Sequence, residues 1–82
     1  SFHIAFYSLK SKMYMIEALH QEATQLHEEA IQYFNTRPYS CNAALNIFYY
    51  LEIANCVFLG HYERGRNCFQ NALAELYTKE IS

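Results

Sequence analysis

Apolar residues recur at intervals of three and four along the first part of the chain, with no glycine or proline between Phe2 and Phe34. The members of this stripe are Phe2, Phe6, Leu9, Met13, Ile16, Leu19, Ala23, Leu26, Ala30 and Phe34. This spacing is typical of one face of a helix. It predicts either one long helix over residues 2–35 or two helices that meet near residues 24–27, where Thr24 can cap a new helix.

A different pattern begins after Pro38, which cannot continue a helix and disfavours helical geometry at Arg37. Residues 41–59 are apolar on nearly every side, which predicts a helix surrounded by other helices or by a partner. Glu52 is isolated in this segment, so it needs an Arg or Tyr partner or must face a groove. A turn at Gly60 precedes an amphipathic segment, residues 61–78. The pattern therefore predicts an all-α fold of three to four helices, a helical hairpin packed on a long N-terminal helix.

The composition indicates a surplus of apolar surface. Of 82 residues, 52% are hydrophobic and 17% are charged, and a chain this short has a thin core. We expect a single helical domain or fragment over residues 1–82, with the remaining apolar surface meeting a protein partner or a second copy. The net charge is −2, and the scattered basic residues do not form the stripe typical of nucleic-acid binding. No apolar run is long enough to cross a membrane, so neither nucleic acid nor membrane is an expected partner.

Three cysteines, Cys41, Cys56 and Cys68, are an odd number without the spacing of metal ligands. We interpret them as reduced and partly buried, which predicts an intracellular location, cytoplasmic or nuclear. The alternative is an intermolecular disulfide. Cys56 lies among apolar residues, and such surroundings are expected to raise the pKa of a thiol.

Groups that could carry chemistry are sparse. Glu17 and His20 form one Glu-x-x-His pair, whereas a di-iron centre in a helical bundle needs two such pairs and further carboxylates. The other histidines, His3, His27 and His61, are scattered, and we expect histidines of this kind on the surface. The sequence predicts no catalytic residue, no metal ligand and no cofactor, so we expect a protein that is not an enzyme.

The chain also echoes itself at an offset of 35 residues. The identical pairs are Tyr14/Tyr49, Glu17/Glu52, Glu28/Glu63 and Phe34/Phe69. Self-similarity at this period is typical of stacked helix–turn–helix units.

The segment from Leu59 to Gly65, with Phe69 and Ala72-Leu73 after it, resembles the second half of a tetratricopeptide repeat. The residues that fill the motif's turn, small and aromatic positions are Gly60, Tyr62, Gly65, Phe69 and Ala72. A fainter earlier copy has Ala18, Ala30 and Phe34 in suitable places, with Gln25 where the turn glycine belongs. Similar short hairpins occur in microtubule-interacting and transport domains and in regulatory regions of fungal zinc-cluster transcription factors.

The resemblance implies a scaffold whose first helices line a groove for a peptide or a helix of a partner. In that register the groove residues are Lys12, Met15, Leu19 and Glu22 in the first copy, and Ile47, Tyr50 and Ala54 in the second. Tyrosine suits interfaces because it combines a large apolar ring with a polar tip. We assign Tyr7, Tyr14 and Tyr39 to an interface, while Tyr49 and Tyr62 are more readily buried by the hairpin itself.

The sequence therefore predicts a non-enzymatic protein–protein interaction module. The alternative is a homodimerisation or structural helical segment of a larger regulatory protein, for example a transcription regulator.

Overall fold

Four α-helices make up the chain in the computed structural model, which describes residues 2–37 and 42–81 and their side chains as far as Leu76. Their bounds are α1 Phe2–Ile16, α2 His20–Asn35, α3 Asn42–Phe58 and α4 Tyr62–Ile81. The described ranges contain no strand. The fold is all-α, as the hydrophobic pattern predicts, and the last helix continues three residues past its predicted end at residue 78.

The predicted long N-terminal helix is divided into α1 and α2, and the division does not lie near residues 24–27. Ala18 adopts the left-handed conformation, with φ of 60°. The N–H of Leu19 donates to the Tyr14 carbonyl at 2.8 Å, and the N–H of Ala18 donates to the Met15 carbonyl at 3.2 Å. These are the two hydrogen bonds of a Schellman motif, which ends a helix by turning one residue left-handed. The reversal therefore occurs at Glu17–Leu19.

The turn between α3 and α4 has the same construction. Gly60 has φ of 77°. The N–H of His61 donates to the Cys56 carbonyl at 2.8 Å, and the N–H of Gly60 donates to the Val57 carbonyl at 3.0 Å. Gly60 follows Ala18 by 42 positions, so every donor and acceptor of this turn lies 42 positions after its counterpart in the first turn.

The offset of 42 residues also relates the helices on both sides of each turn. Helix α1 ends at Ile16 and α3 ends at Phe58, while α2 begins at His20 and α4 begins at Tyr62. Where both residues lie within corresponding helices, the identical pairs at this offset are Phe6/Phe48, Tyr7/Tyr49, Leu9/Leu51 and Ala30/Ala72. The predicted offset of 35 residues is wrong, since it places the first turn inside α3. The two offsets differ by one heptad, which returns to nearly the same helix face.

The helices pack in the order in which they follow along the chain. Helix α2 packs on both α1 and α3, α4 packs on α3, and α1 also contacts α3. The array is thin, with Cα extents of 37 × 30 × 14 Å, as expected for two layers of helices. Gly65 permits the close approach of α4 to α3, because a Cβ there would lie 3.3 Å from the Cβ of Cys56.

The apolar core lies where α2, α3 and α4 meet. Its buried residues are Ala30, Phe34, Ala44, Leu45, Phe48, Tyr49 and Ala72. The rings of Phe34 and Phe48 stack at 5.8 Å, and the Tyr7 ring meets both edge-on at 6.3 and 6.0 Å. Aromatic packing therefore joins α1 to the core from its inner face.

The two turns offer a matched test of the left-handed position. We expect Ala18→Gly to raise the free energy of unfolding by about 0.5–1 kcal/mol, because glycine removes the strain of a Cβ at positive φ. Gly60→Ala should lower it by about 1 kcal/mol for the same reason; a Cβ at Gly60 meets no atom within 4 Å, so the effect is one of backbone conformation alone. Urea unfolding followed by circular dichroism measures both changes. Equal and same-sign shifts would contradict the shared turn geometry.

Candidate protein-interaction surface

A stripe of five large apolar side chains on α1 is exposed. The exposed fractions are 76% for Phe2, 47% for Phe6, 63% for Leu9, 60% for Met13 and 84% for Ile16. We call these five residues the α1 stripe. Their spacing of four, three, four and three is the heptad spacing by which one helix packs along another. The opposite side of α1 carries Ser11, which is fully buried, so α1 has one face packed in the domain and one apolar face that no other described helix covers.

A groove of about 420 Å³ lies beside the α1 stripe, between α1 and α3. Its lining residues are Ser8, Lys12, Asn46, Ile47, Tyr50 and Leu51. The structure thus brings together three of the predicted groove residues, Lys12, Ile47 and Tyr50. Tyr50 is 68% exposed, so its ring is available to a partner.

The other four predicted groove residues lie elsewhere. Met15, Leu19 and Ala54 are half-buried, and the Met15 sulfur accepts a weak hydrogen bond from Ser11 Oγ at 3.8 Å. Glu22 lines a separate groove between α1 and α2, together with Lys10 and Tyr14. None of these four residues lines the groove between α1 and α3, and their partner-binding role stays a prediction.

The predicted interface tyrosines have different surroundings. Tyr7 is half-buried and its ring packs on the core, while Tyr14 lies 5.7 Å from the Lys10 ammonium. Tyr39 lies outside the described residues. Tyr49 is buried, as the hairpin allows, but Tyr62 is 64% exposed. An interface role for Tyr7 and Tyr14 stays a prediction.

A line of buried polar groups crosses three helices. Ser11 Oγ of α1 lies 2.6 Å from His27 Nε2 of α2, and His27 Nδ1 lies 2.7 Å from Glu52 Oε1 of α3. A serine, a histidine and a carboxylate in this order recur in hydrolases. Here Ser11 and His27 have no exposed surface and Glu52 is 5% exposed. No substrate can reach this serine, so the line joins helices instead of offering a nucleophile.

Thr24 and Asn55 extend the network along the α2–α3 junction. The Thr24 hydroxyl donates to Glu52 Oε2 at 2.9 Å and accepts from Asn55 Nδ2 at 3.1 Å. Asn55 Nδ2 also donates to the His20 carbonyl at 3.1 Å. Asn55 Oδ1 therefore faces His20 Nδ1, 2.8 Å away, and this nitrogen is the donor. Thr24 is thus committed to the network and caps no helix.

Glu52 is the charged centre of this network. Burial raises its pKa, but the hydrogen bonds from His27 and Thr24, together with electrostatic attraction to His27 and Arg64, outweigh burial, so the pKa lies below the usual 4.5. Arg64 Nη2 lies 3.5 Å from Glu52 Oε2, which is one of the alternatives that the sequence left open for this carboxylate, an arginine or a tyrosine partner or a groove. The surface position expected for His27 is wrong, because its ring fills the space between Ser11 and Glu52.

The thiols and the remaining histidines form no reactive centre in the part of the chain that the structure describes. Cys56 and Cys68 are free, and Cys41 lies outside that part. Burial, with the charge of Glu52, raises the pKa of Cys56, as expected from its surroundings, and burial raises the pKa of Cys68 to about 11. No group of three metal-ligating side chains occurs among the described residues.

Comparison with models of protein families, with curated proteins and with solved structures finds no match. None of the helices in the described ranges is long and apolar enough to cross a membrane. The α1 stripe, the adjoining groove and the buried network are therefore the features from which a function can be inferred.

Replacing the buried carboxylate tests the network through its pH dependence. Because the pKa of Glu52 is lowered on folding, its stabilising contribution is present above pH 4.5 and is lost as pH falls below that value. We expect Glu52→Gln to lower the free energy of unfolding by roughly 2 kcal/mol at neutral pH, and by progressively less below pH 4.5. Urea unfolding at several pH values measures this convergence.

The control for this experiment is Glu63→Gln, which removes an exposed carboxylate of α4. It should leave the pH profile of the unfolding free energy close to that of the unchanged chain. A deficit of Glu52→Gln that stays constant as pH falls would contradict the role of its charge.

Proposed function

We propose that this chain is a non-enzymatic protein–protein interaction module that binds a helix of a partner along the α1 stripe. The carrying observation is that five large apolar side chains at heptad spacing stand exposed on one helix. A partner helix with its own apolar stripe would cover them and remove that surface from water, which is the main favourable term in association. No other helix among the described residues covers the α1 stripe. This face of α1 is therefore free to pack against a helix of a partner.

The groove beside the stripe supports the same partner. A helix that lies on the α1 stripe reaches the α1–α3 groove, where the exposed ring of Tyr50 and the side chain of Ile47 extend the apolar contact. Lys12 at the groove edge supplies one charged contact. Aromatic residues with a polar tip are favoured at such interfaces.

The opposite side of the array also has a groove of about 420 Å³, but paired polar side chains bridge it. Between α2 and α4, Arg64 lies 3.6 Å from Glu28, and Asn35 Nδ2 donates to Glu75 Oε1 at 3.0 Å. These polar pairs satisfy one another across the gap between the two helices. The side of α1 and α3 is therefore the better candidate for docking an apolar helix face.

The tetratricopeptide resemblance supports a binding role only in outline. Both turns and both helix pairs recur at 42 residues, whereas a tetratricopeptide repeat is about 34 residues long. From this resemblance the proposal keeps only a helical scaffold whose helix faces are open to a partner. Membership of the tetratricopeptide family stays a prediction. An intracellular location is part of the proposal and fits the two free thiols, Cys56 and Cys68.

The second candidate function is a structural segment of a larger helical assembly. Tyr62, Phe69 and Leu73 are exposed on α4, at 64%, 49% and 50%. This smaller apolar flank lies at the other end of the array from α1. It would suit a helix that continues the array.

Partner capture from cell extract tests the proposed role of the α1 stripe. We expect Leu9→Lys to reduce the recovered partner at least about tenfold, since losing one buried leucine costs roughly 1.5 kcal/mol or more. The stability of the variant should be unchanged, because Leu9 is exposed and lysine is a good helix former. Quantitative mass spectrometry of the retained proteins measures the recovery.

The matched control is Leu73→Lys, which makes the same change on the exposed flank of α4. It should leave recovery of that partner unchanged. Equal recovery with the unchanged chain and with Leu9→Lys would show that the α1 stripe does not bind the partner. Loss with Leu73→Lys alone would favour the structural role.

A further inference from the structure

The interior α2–α3 junction shows how one helix of this chain packs along another. On α3 the junction uses Phe48, Glu52 and Asn55, all of them buried. On α2, His20 and Thr24 bond to Asn55 and Glu52. The α3 side of this junction therefore consists of the ring of Phe48, the carboxylate of Glu52 and the amide of Asn55.

Helix α1 carries the counterparts of the α3 side of this junction, but no other helix in the described part of the chain packs over Phe6 and Met13. At the offset of 42 residues, Phe6 corresponds to Phe48, Lys10 to Glu52 and Met13 to Asn55. Phe48 and Asn55 have no exposed surface, whereas Phe6 is 47% and Met13 is 60% exposed. The outer face of α1 therefore holds the position in the first helix pair that the α2-facing side of α3 holds in the second.

We propose that a helix of another protein packs on α1 as α2 packs on α3, and that this helix carries acidic side chains beside its apolar stripe. This inference rests on the proposed function and specifies the chemistry of the partner. It follows from the two lysines that flank the α1 stripe, Lys10 at the counterpart of Glu52 and Lys12 on the other side. At the interior junction the charged residue of α3 is satisfied by groups of α2, so the lysines of α1 favour acceptors on a partner helix, and a carboxylate is the strongest one.

The charge of α1 as a whole agrees with this polarity. Its sequence contains two lysines and no acidic residue. Lys10 flanks the α1 stripe on one side, and Lys12 flanks it on the other. Flanking positions of this kind select the charge of a partner helix in heptad packing.

The two flanks differ in how much of their charge is already compensated. The ammonium of Lys10 lies 5.6 Å from the Phe6 ring, and the groove on its side is also lined by Glu22 and Glu29 of α2. The groove on the Lys12 side has no acidic residue in its lining. A partner carboxylate is therefore favoured most strongly beside Lys12.

A second copy of the chain is a poor occupant of this surface. The counterpart of α2 in the chain is α4, where Arg66 stands at the position of Thr24. Because Thr24 contacts Glu52 directly, a copy whose α4 packed on α1 in the same way would place Arg66 against Lys10. Two cations at one buried contact disfavour self-stacking and leave the surface to a partner of opposite charge.

Binding of synthetic helices tests the inference. The probes are two labelled peptides, three heptads long, with leucine at both core positions and either glutamate or lysine at both flanking positions. We expect the glutamate peptide to bind at least about tenfold tighter than the lysine peptide by fluorescence anisotropy, and the difference to shrink at high salt. Lys10→Glu combined with Lys12→Glu should reverse the preference, while Arg66→Glu, an exposed charge change on α4, should not.

The other outcomes separate this inference from the proposed function. If the two peptides bind with equal affinity and Leu9→Lys abolishes the binding of both, the inference of an acidic partner is wrong, while the proposal that α1 binds a helix stands. No binding of either peptide, with extract capture unaffected by Leu9→Lys, would overturn both. A dimer in sedimentation velocity that Leu9→Lys disperses would overturn the partner and establish a second copy as the occupant.

Discussion

The carboxylate of Glu52 lies inside the array, and the helices around it are placed where they can satisfy its charge. A buried carboxylate costs several kcal/mol unless cations and hydrogen-bond donors surround it. Thr24 and His27 reach it from α2 and Arg64 reaches it from α4. Ser11 then carries the chain of hydrogen bonds to α1. Sliding α2 along α3 by one turn would leave the charge without these donors, so the polar centre fixes a register that the apolar contacts alone would not.

The class of the fold could be predicted because the apolar periodicity is strong and continuous. The third helix was expected over residues 41–59 and runs from Asn42 to Phe58, and its end is signalled by Gly60. The first turn carries no such signal. Glu17, Ala18 and Leu19 have good helix propensity, so local preference favours one continuous helix. The strained conformation of Ala18 is stabilised only by the packing of α2 against α1 and α3.

The groove between α1 and α3 contains only part of the set of binding residues that the sequence predicts. Composition indicated an excess of apolar surface. The apolar residues of α1, however, continue at the same spacing into the buried apolar residues of α2. The pattern alone therefore could not tell which apolar residues of this run are exposed and which are buried. Lys12, Ile47 and Tyr50 line one groove, although the offset of 35 residues is one heptad short. An offset that is wrong by seven residues keeps each side chain on nearly the same helix face, which is why these three residues still lie together.

The polar network could not be predicted residue by residue, because its partners are distant in sequence. His27 meets Ser11 sixteen positions away and Glu52 twenty-five positions away. An isolated Glu52 in an apolar helix indicated only that some donor must lie near it. The spacing of His20 and His27 by seven places both on one side of α2, and in retrospect that side is the one facing Glu52.

Helix α1 is attached to the other helices more weakly than α3 is, which affects local unfolding. Helix α1 is held by the Ser11–His27 hydrogen bond, by the Tyr7 ring and by fewer contacts than α3 makes with either neighbour. Subglobal opening should therefore begin with α1 detaching, and its amides should lose exchange protection before those of α3. A ligand that binds the outer face of docked α1 shifts the local opening equilibrium of this helix toward its docked state. Binding of the ligand and ordering of α1 are therefore thermodynamically linked.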